Sequence, residues 1–270
     1  MKYYLHEMSY VEVQQAISKT DTVIVPLGAL EGHGPHNPTG CCFILAHESA
    51  RLVGAKTGVP VTPTIPFGIS KNLQNFSGTI DVKPETLKEL VRDVSVSLIR
   101  HGFKRIIFFS AHDGLNVAAL TEVSEELRGR TGALFAVLHL WGLVGQLSPG
   151  VTSAPGVAGG HGGDPTTSVM LHLAPSLVDM RQAKWEPLKQ PLQGMKTESH
   201  SAHEFRKVRI SVPLYADEVS ATGVAADPTK ASKERGEQLF KMLTDYLVDF
   251  VRSFSCMRLP EQPKIDTMSN

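Results

Sequence analysis

A three-layer α/β/α sandwich with a largely parallel central sheet, formed as a single domain over residues 1–270, is the fold class this sequence predicts. Two short apolar runs carry the prediction: Val23-Ile24-Val25-Pro26-Leu27 and residues 104–110, KRIIFFS, both with the composition of strands buried on two faces. Each run ends in a polar, glycine-bearing loop and then in apolar residues at helical spacing. Strand, loop and helix recurring in that order is the pattern of parallel crossover units. A chain of 270 residues is long enough to bury a real core in one such domain.

Taken in order, residues 10–18 read as a short helix and 23–27 as the first strand. A loop punctuated by Gly28, Gly32, Gly34, Pro35, Pro38 and Gly40 carries Glu31, His33 and His36. Helical spacing returns over 43–57 and stops at Gly58. Residues 59–63 are extended but proline-interrupted, which suits a sheet edge. Residues 67–79 form a long loop of functional type. Lys83-Pro84-Glu85 opens a helix reaching His101, with Leu87, Leu90, Val91, Val94 and Leu98 as its apolar stripe. The second strand, 104–110, leads through a turn at 111–116 into a helix over 117–127, and 133–140 is the third strand. Residues 144–160 carry no pattern, and the glycine-rich stretch 160–168 enters a helix ending at Leu173. Residues 176–208 read as a polar surface excursion, 209–214 as a last strand, and 229–254 as a long terminal helix.

Composition excludes several classes. Lys plus Arg and Asp plus Glu both number 27, so no net field draws the chain to nucleic acid or to an anionic membrane. Aromatic residues make up only 7%, too few for a base-stacking platform. Three cysteines, two of them adjacent, make no disulfide framework and fit a reducing compartment. The first residues, MKYYLHEMSYVEVQQ, lack a signal-peptide core, and no apolar run approaches the length of a membrane span. A cytoplasmic protein acting on a small molecule is the expectation.

The polar residues fall where such folds keep their chemistry. Glu31 and His33 follow the first strand, His112 and Asp113 the second, and His139 lies at the end of the third. In a parallel sheet those ends share one edge, where ligand crevices form. Glu31 and His33 stand two apart, so an extended backbone turns both to one side, an arrangement suited to a metal ion or to a solvated loop. His161 and Asp164 sit on a glycine-rich loop entering a helix. His47, His101, His172, His200 and His203 are assigned structural roles.

Several segments carry a resemblance to a known family. E-G-H-G-P-H-N-P-T-G at 31–40 is similar to the signature E-Q-H-G-P-H-L-P-x-G-T-D of the creatininase (creatinine amidohydrolase) family. F-S-G-T at 76–79 resembles its F-P-G-T segment, and S-A-H-D-G-L-N at 110–116 its N-G-H-G-G-N turn. G-H-G-G-D-P-T-T-S-V-M-L at 160–171 resembles H-A-G-E-x-E-T-S-x-M-L, and the stretch from Gly223 to Gly236 resembles the lead into the family's last helix. The resemblance implies an α/β/α hydrolase with divalent metal at the sheet edge, assembled as a homo-oligomer and often a hexamer.

Residue by residue, the resemblance makes Glu31, His33 and His112 metal ligands and His161 the proton-transfer group, with Asp164 to orient it. The family's bridging aspartate falls on Cys42, its metal-binding glutamate on Gly114 or Thr166, and a further histidine on Leu73. Two substitutes are available. Cys42 either ligates as a thiolate or packs as a small hydrophobe. Asp113 either ligates or caps the next helix. A thiolate favours zinc, with ferrous iron next, over manganese or magnesium, and as a single donor atom it points to one ion rather than two. The implied reaction is cleavage of a C–N bond in a small cyclic or linear amide by metal-activated water. The alternatives are hydrolysis of a cyclic polyol ketone, or a binding protein with a degenerate metal site.

Overall fold

A computed structural model describes residues 2–112, 114–148 and 160–259. Its central sheet contains β1 (Thr22–Leu27), β2 (Arg105–Ser110) and β3 (Leu134–His139), all parallel and adjacent in that order. On the other side of β1 the proline-rich segment pairs only at points, Val61 with Ile24 and Ile65 with Leu27. Pro60, Pro63 and Pro66 cannot donate to a ladder, so this sheet edge is stitched rather than continuous, as expected.

The helices are α1 (Tyr10–Ile17), α2 (Cys41–Thr57), α3 (Pro84–Arg100), α4 (Leu115–Thr131), α5 (Leu140–Leu147), α6 (Thr166–Leu173), α7 (Ala216–Val219) and α8 (Lys233–Cys256). Alternation along the strands divides them between two faces. Val23, Val25, Ile106 and Phe108 pack with Leu87 and Val91 of α3 and Leu120 and Val123 of α4. Ile24, Ile107 and Phe109 pack with residues of α2, α5, α6 and α8, including Leu45, Val144, Met170 and Leu243. Two cores on opposite faces of one sheet make the three layers. Among the described residues no helix is long and apolar enough to cross a membrane.

Three local departures from the sequence expectation bear on the site. Helix α2 begins at Cys41, two residues earlier than its apolar spacing indicates, which puts Cys42 in its first turn. Helix α5 forms directly after β3, where no helical pattern was read, and residues 149–159 of that patternless stretch lie outside the described residues. The expected last strand does not join the central sheet. It is β6 (Val208–Ser211) of a separate antiparallel sheet with β4 (Lys196–Thr197) and β5 (Ala202–Phe205). The hairpin between β5 and β6 turns on Arg206 and Lys207, both at positive φ, 51° and 66°. Such turns are signalled by Asn-Gly or Asp-Gly, and Arg-Lys gives no such cue. The excursion is therefore folded, with His203 fully buried in it.

Candidate metal centre

The loop after β1 passes so close to α2 that a Cβ on Gly28 would stand 2.5 Å from the Phe43 backbone. This approach sets Glu31 and His33 against the start of α2, where Cys42 projects. His112 arrives from the carboxyl end of β2, and His161 from the glycine-rich loop before α6. One atom gathers them. Glu31 Oε1 lies 3.2 Å from His112 Nδ1, 3.6 Å from His33 Nε2 and 4.0 Å from His161 Nδ1. Cys42 Sγ is 3.7 Å from the same oxygen, 3.7 Å from His33 Nε2 and 3.9 Å from His112 Nδ1. The rings of His33 and His161 stack with centroids 4.2 Å apart.

The outer face of each imidazole is tied to a main-chain carbonyl. His33 Nδ1 lies 3.0 Å from the Glu31 carbonyl, His112 Nε2 2.9 Å from that of Ile69, and His161 Nε2 2.8 Å from that of Gly32. A carbonyl can only accept, so these nitrogens carry protons and the opposite nitrogens turn toward Glu31. Metal-ligating histidines are oriented by this kind of outer hydrogen bond. The other Glu31 oxygen accepts from Ser70 Oγ at 2.7 Å, which fixes the carboxylate in its plane.

Electrostatics supply the test of fit. Glu31 is 1% exposed, and among the described residues its ion-pair partners are imidazoles, with no lysine or arginine. A buried carboxylate facing imidazole nitrogens and a sulfur calls for a cation. Without one, a proton takes the place: burial opposes charge on His112, but Glu31 raises it well above the usual imidazole range. Burial pushes His33 down to about 3, with His161 adding to the effect. Burial raises Glu31, yet His112, His33 and His161 outweigh it and hold the carboxyl below its ordinary range. Burial and the Glu31 charge push the Cys42 thiol up to about 12. The donor set divides into two triads that share Glu31: Glu31, Cys42 and His112, and Glu31, His33 and His161, each with its ligand atoms within 4.8 Å of one another. Both triads fit a divalent ion of borderline softness.

The cluster opens onto a cavity of about 810 Å³. Leu73, Ala111, Trp141 and Leu214 give it apolar wall, and Thr166 lines it as well. His139 also reaches this wall.

Glu31, His33, Cys42, His112 and His161, singled out from sequence, thus come together, whereas Asp113 lies outside the described residues. Asp164 is a correction. Its carboxylate accepts from Ser168 Oγ at 2.6 Å and pairs with Arg235 Nη1 at 3.1 Å, so the orienting partner of His161 is the Gly32 carbonyl instead. His36 is likewise structural, with Nε2 3.0 Å from Thr167 Oγ1. Sequence reasoning missed Ser70 and His200. His200 is 6% exposed and lines the cavity, with its ring edge-on to His161 at 5.3 Å. Ser70 lies in the 67–79 loop read as functional without being singled out, and the turn that carries His200 is read only once the second sheet is known.

At the carboxyl edge of a parallel α/β/α sheet the chain thus gathers Glu, His and Cys side chains that could hold a metal ion. The chain belongs to the creatininase family: residues 6–251 match the family described as creatinine amidohydrolase. It is 30% identical over 254 residues to the mycofactocin precursor peptide peptidase of Mycobacterium tuberculosis, with 88% of each chain covered. It is 25% identical to the creatinine amidohydrolase of Pseudomonas putida, covering 92% of this chain and 96% of that one. Among solved structures it resembles a manganese form of creatininase with a TM-score of 0.77 at 25% identity, covering 95% of this chain and all of the other.

Proposed function

We propose that this hydrolase cleaves a C–N bond of an amide held against divalent metal at Glu31. The observation that carries the reading is the convergence of three imidazole nitrogens and the Cys42 sulfur on one buried carboxylate oxygen. Glu31 would serve both triads, with Cys42 and His112 on one side and His33 and His161 on the other. Zinc suits a set of one thiolate, three imidazoles and a carboxylate; ferrous iron is the next choice, and manganese or magnesium fits least. Such an ion supplies Lewis acidity, polarising an amide carbonyl and lowering the pKa of water toward about 7.

The protein's own groups do the rest. Ser70 and the carbonyls of Glu31, Ile69 and Gly32 hold the ligands in place. Leu73, Ala111 and Trp141 thin the water around the reacting bond. His112 Nδ1 would have to give up the proton it holds against Glu31 in order to hold a metal. His161 was expected as the proton-transfer group. Its Nδ1 faces Glu31 and its Nε2 is committed to Gly32, which supports a ligand role. A cavity of about 810 Å³ exceeds what a single small ring needs, and together with the peptidase relatives it supports an amide within a peptide over a small cyclic one.

Metal stoichiometry and turnover in His161→Asn test the assignment. A ligand role predicts loss of about one ion per chain with the circular dichroism unchanged. Full metal retention with turnover cut by roughly 10²–10⁴-fold would return His161 to acid–base work.

A further inference from the structure

The second sheet runs in the order β4, β5, β6, so one side of β6 pairs with β5 and the other is an open edge among the described residues. Alternation of the antiparallel ladder fixes which main-chain groups lie on that edge. The Ala202 carbonyl accepts from the Glu198 N–H at 2.9 Å, toward β4, and the Ser201 carbonyl accepts from the Val212 N–H at 3.2 Å, toward β6. Ala202 stands opposite Ser211, and Glu204 opposite Arg209. Residues 208, 210 and 212 therefore turn their main-chain groups to β5, whereas Arg209 and Ser211 turn their N–H and C=O groups outward. No described residue bonds these outward groups. Val208, Arg209 and Ser211 are exposed, and Arg209 Nε reaches back across the sheet to Glu198 Oε2 at 3.8 Å instead of covering the edge.

This edge runs into the cavity. Ser211 lines it, and so do Pro213, Leu214 and Tyr215 just beyond, together with Glu31, His33 and His112 of the ligand cluster. An extended chain laid along Arg209 and Ser211 is thereby led to the metal ligands. We infer that β6 is the docking strand for a peptide substrate, which adds to the second sheet through the main-chain groups of Arg209 and Ser211 and passes its scissile amide into the cavity. The inference rests on the metal-hydrolase reading and narrows its substrate to an extended peptide, since a small cyclic amide has no chain to lay on the edge. Pairing of this kind reads backbone more than sequence. Two paired residues are too few to hold a free strand, and Lys207 and Arg209 discourage sheet-to-sheet association. A peptide also held at the metal meets the edge at high effective concentration, so the two contacts together retain what neither retains alone.

The experiment uses zinc-loaded full-length protein and two metal-chelating probes, acetohydroxamic acid and the pentapeptide acetyl-Ala-Val-Ala-Val-Ala hydroxamate, titrated calorimetrically. Wild type should bind the peptide at least about tenfold more tightly, the effect of a few main-chain hydrogen bonds. Strand pairing presents every second N–H to the edge. N-methylation of one alternate set of peptide residues should therefore erase the advantage, and methylation of the other set should spare it; an advantage kept by both overturns the inference. Ser211→Pro removes one outward donor and should cut the ratio between the probes roughly fivefold to tenfold, whereas Ser211→Ala keeps the N–H and the ratio. An undiminished ratio in Ser211→Pro, with zinc content and circular dichroism equal to wild type, also overturns it. Amide exchange read by NMR gives an independent measure. The Arg209 and Ser211 amides should exchange freely in the protein alone and slow when the peptide binds. Protection before peptide is added would assign the edge to a second copy of the chain and overturn the inference. Failure of acetohydroxamic acid to bind counts against the hydrolase reading instead. β6 is then judged by exchange with the peptide in large excess, where absence of protection at Arg209 and Ser211 overturns it.

Discussion

Cys42 sits beside the Glu31 carboxylate in the cluster, and thiol chemistry differs from carboxylate chemistry in two measurable ways. A thiolate bound to cobalt(II) gives an intense near-ultraviolet charge-transfer band that a carboxylate does not. Cobalt titration of wild type should produce that band and saturate it at one ion per chain, and Cys42→Ala should lack it. The other two cysteines make a fair control, since Cys41 Sγ donates to the Pro38 carbonyl and Cys256 is exposed. An unchanged band in Cys42→Ala would show that Cys42 only packs. The second difference is protonation. A thiol pushed up to about 12 keeps its proton throughout the neutral range, so metal binding must displace it. His112, raised above its ordinary range, loses a second proton, whereas His33, pushed down to about 3, has none to lose. Affinity therefore rises with pH and falls as pH drops. Calorimetry in buffers of different ionisation enthalpy should find about two protons released per zinc-loaded site at neutral pH, and about one in Cys42→Ala. Equal release in the two proteins would contradict the thiolate assignment.

At the level of elements, the ligands depend on loops clamped together from a distance. Asn37 Nδ2 lies 3.3 Å from the His33 carbonyl, 3.2 Å from the Gly162 carbonyl and 2.9 Å from Thr167 Oγ1, tying the β1 loop to the loop before α6. Asn37→Ala removes the clamp and takes the Asn37 donor from the His33 carbonyl, while Thr167 Oγ1 keeps its bonds to the Gly162 carbonyl and His36; it should cost about 1–3 kcal/mol, with weaker binding of the ion assigned to His33 and His161. Loss of stability without any change in metal affinity would confine the clamp to folding. Helix α6 is in turn held against α8 at Gly236, where a Cβ would run into the Ser168 carbonyl. Helix propensity alone predicts that Gly236→Ala gains up to about 1 kcal/mol. The obstacle is backbone, which cannot swing aside, and overpacking of about 1–3 kcal/mol outweighs the gain. A lower midpoint in urea is expected, and a higher one would show that the helices separate freely. Elements of this kind were legible where period and punctuation agreed: Pro84 begins α3, and Gly58 follows α2 at φ 72°. Of the second sheet only β6 registered as a strand, because β4 and β5 are two and four residues long and the hairpin turn lacks the usual residues.

Across the whole molecule, the sequence revealed the sheet and one wall of the cavity because buried strands and their loop ends announce themselves locally. The wall that carries His200 depends on long-range packing, which no local pattern encodes. The ligand cluster joins the same distant parts. Its side chains come from the β1 loop, the first turn of α2, the end of β2 and the loop before α6, so residues as far apart as 31 and 161 meet around one oxygen. An ion bound there links segments that separate on unfolding, and it stabilises the folded chain by mass action. At a thousandfold excess over its dissociation constant, zinc should contribute about 4 kcal/mol, less whatever unfolded cysteine and histidine retain. For a chain of this size that corresponds to a rise in Tm of roughly 8–16 °C. Chelator should reverse the rise, and His33→Ala or His112→Ala should each reduce it. Glu31→Gln gives the most decisive comparison. The substitution removes the charge that all four other ligands face, and His112 can shed its proton in response, so the metal-free Tm should move by only a few degrees. The zinc-dependent rise should disappear, because the only carboxylate in both triads is gone. A full rise in Tm with zinc in Glu31→Gln would place the ion elsewhere and remove the basis for the hydrolytic centre.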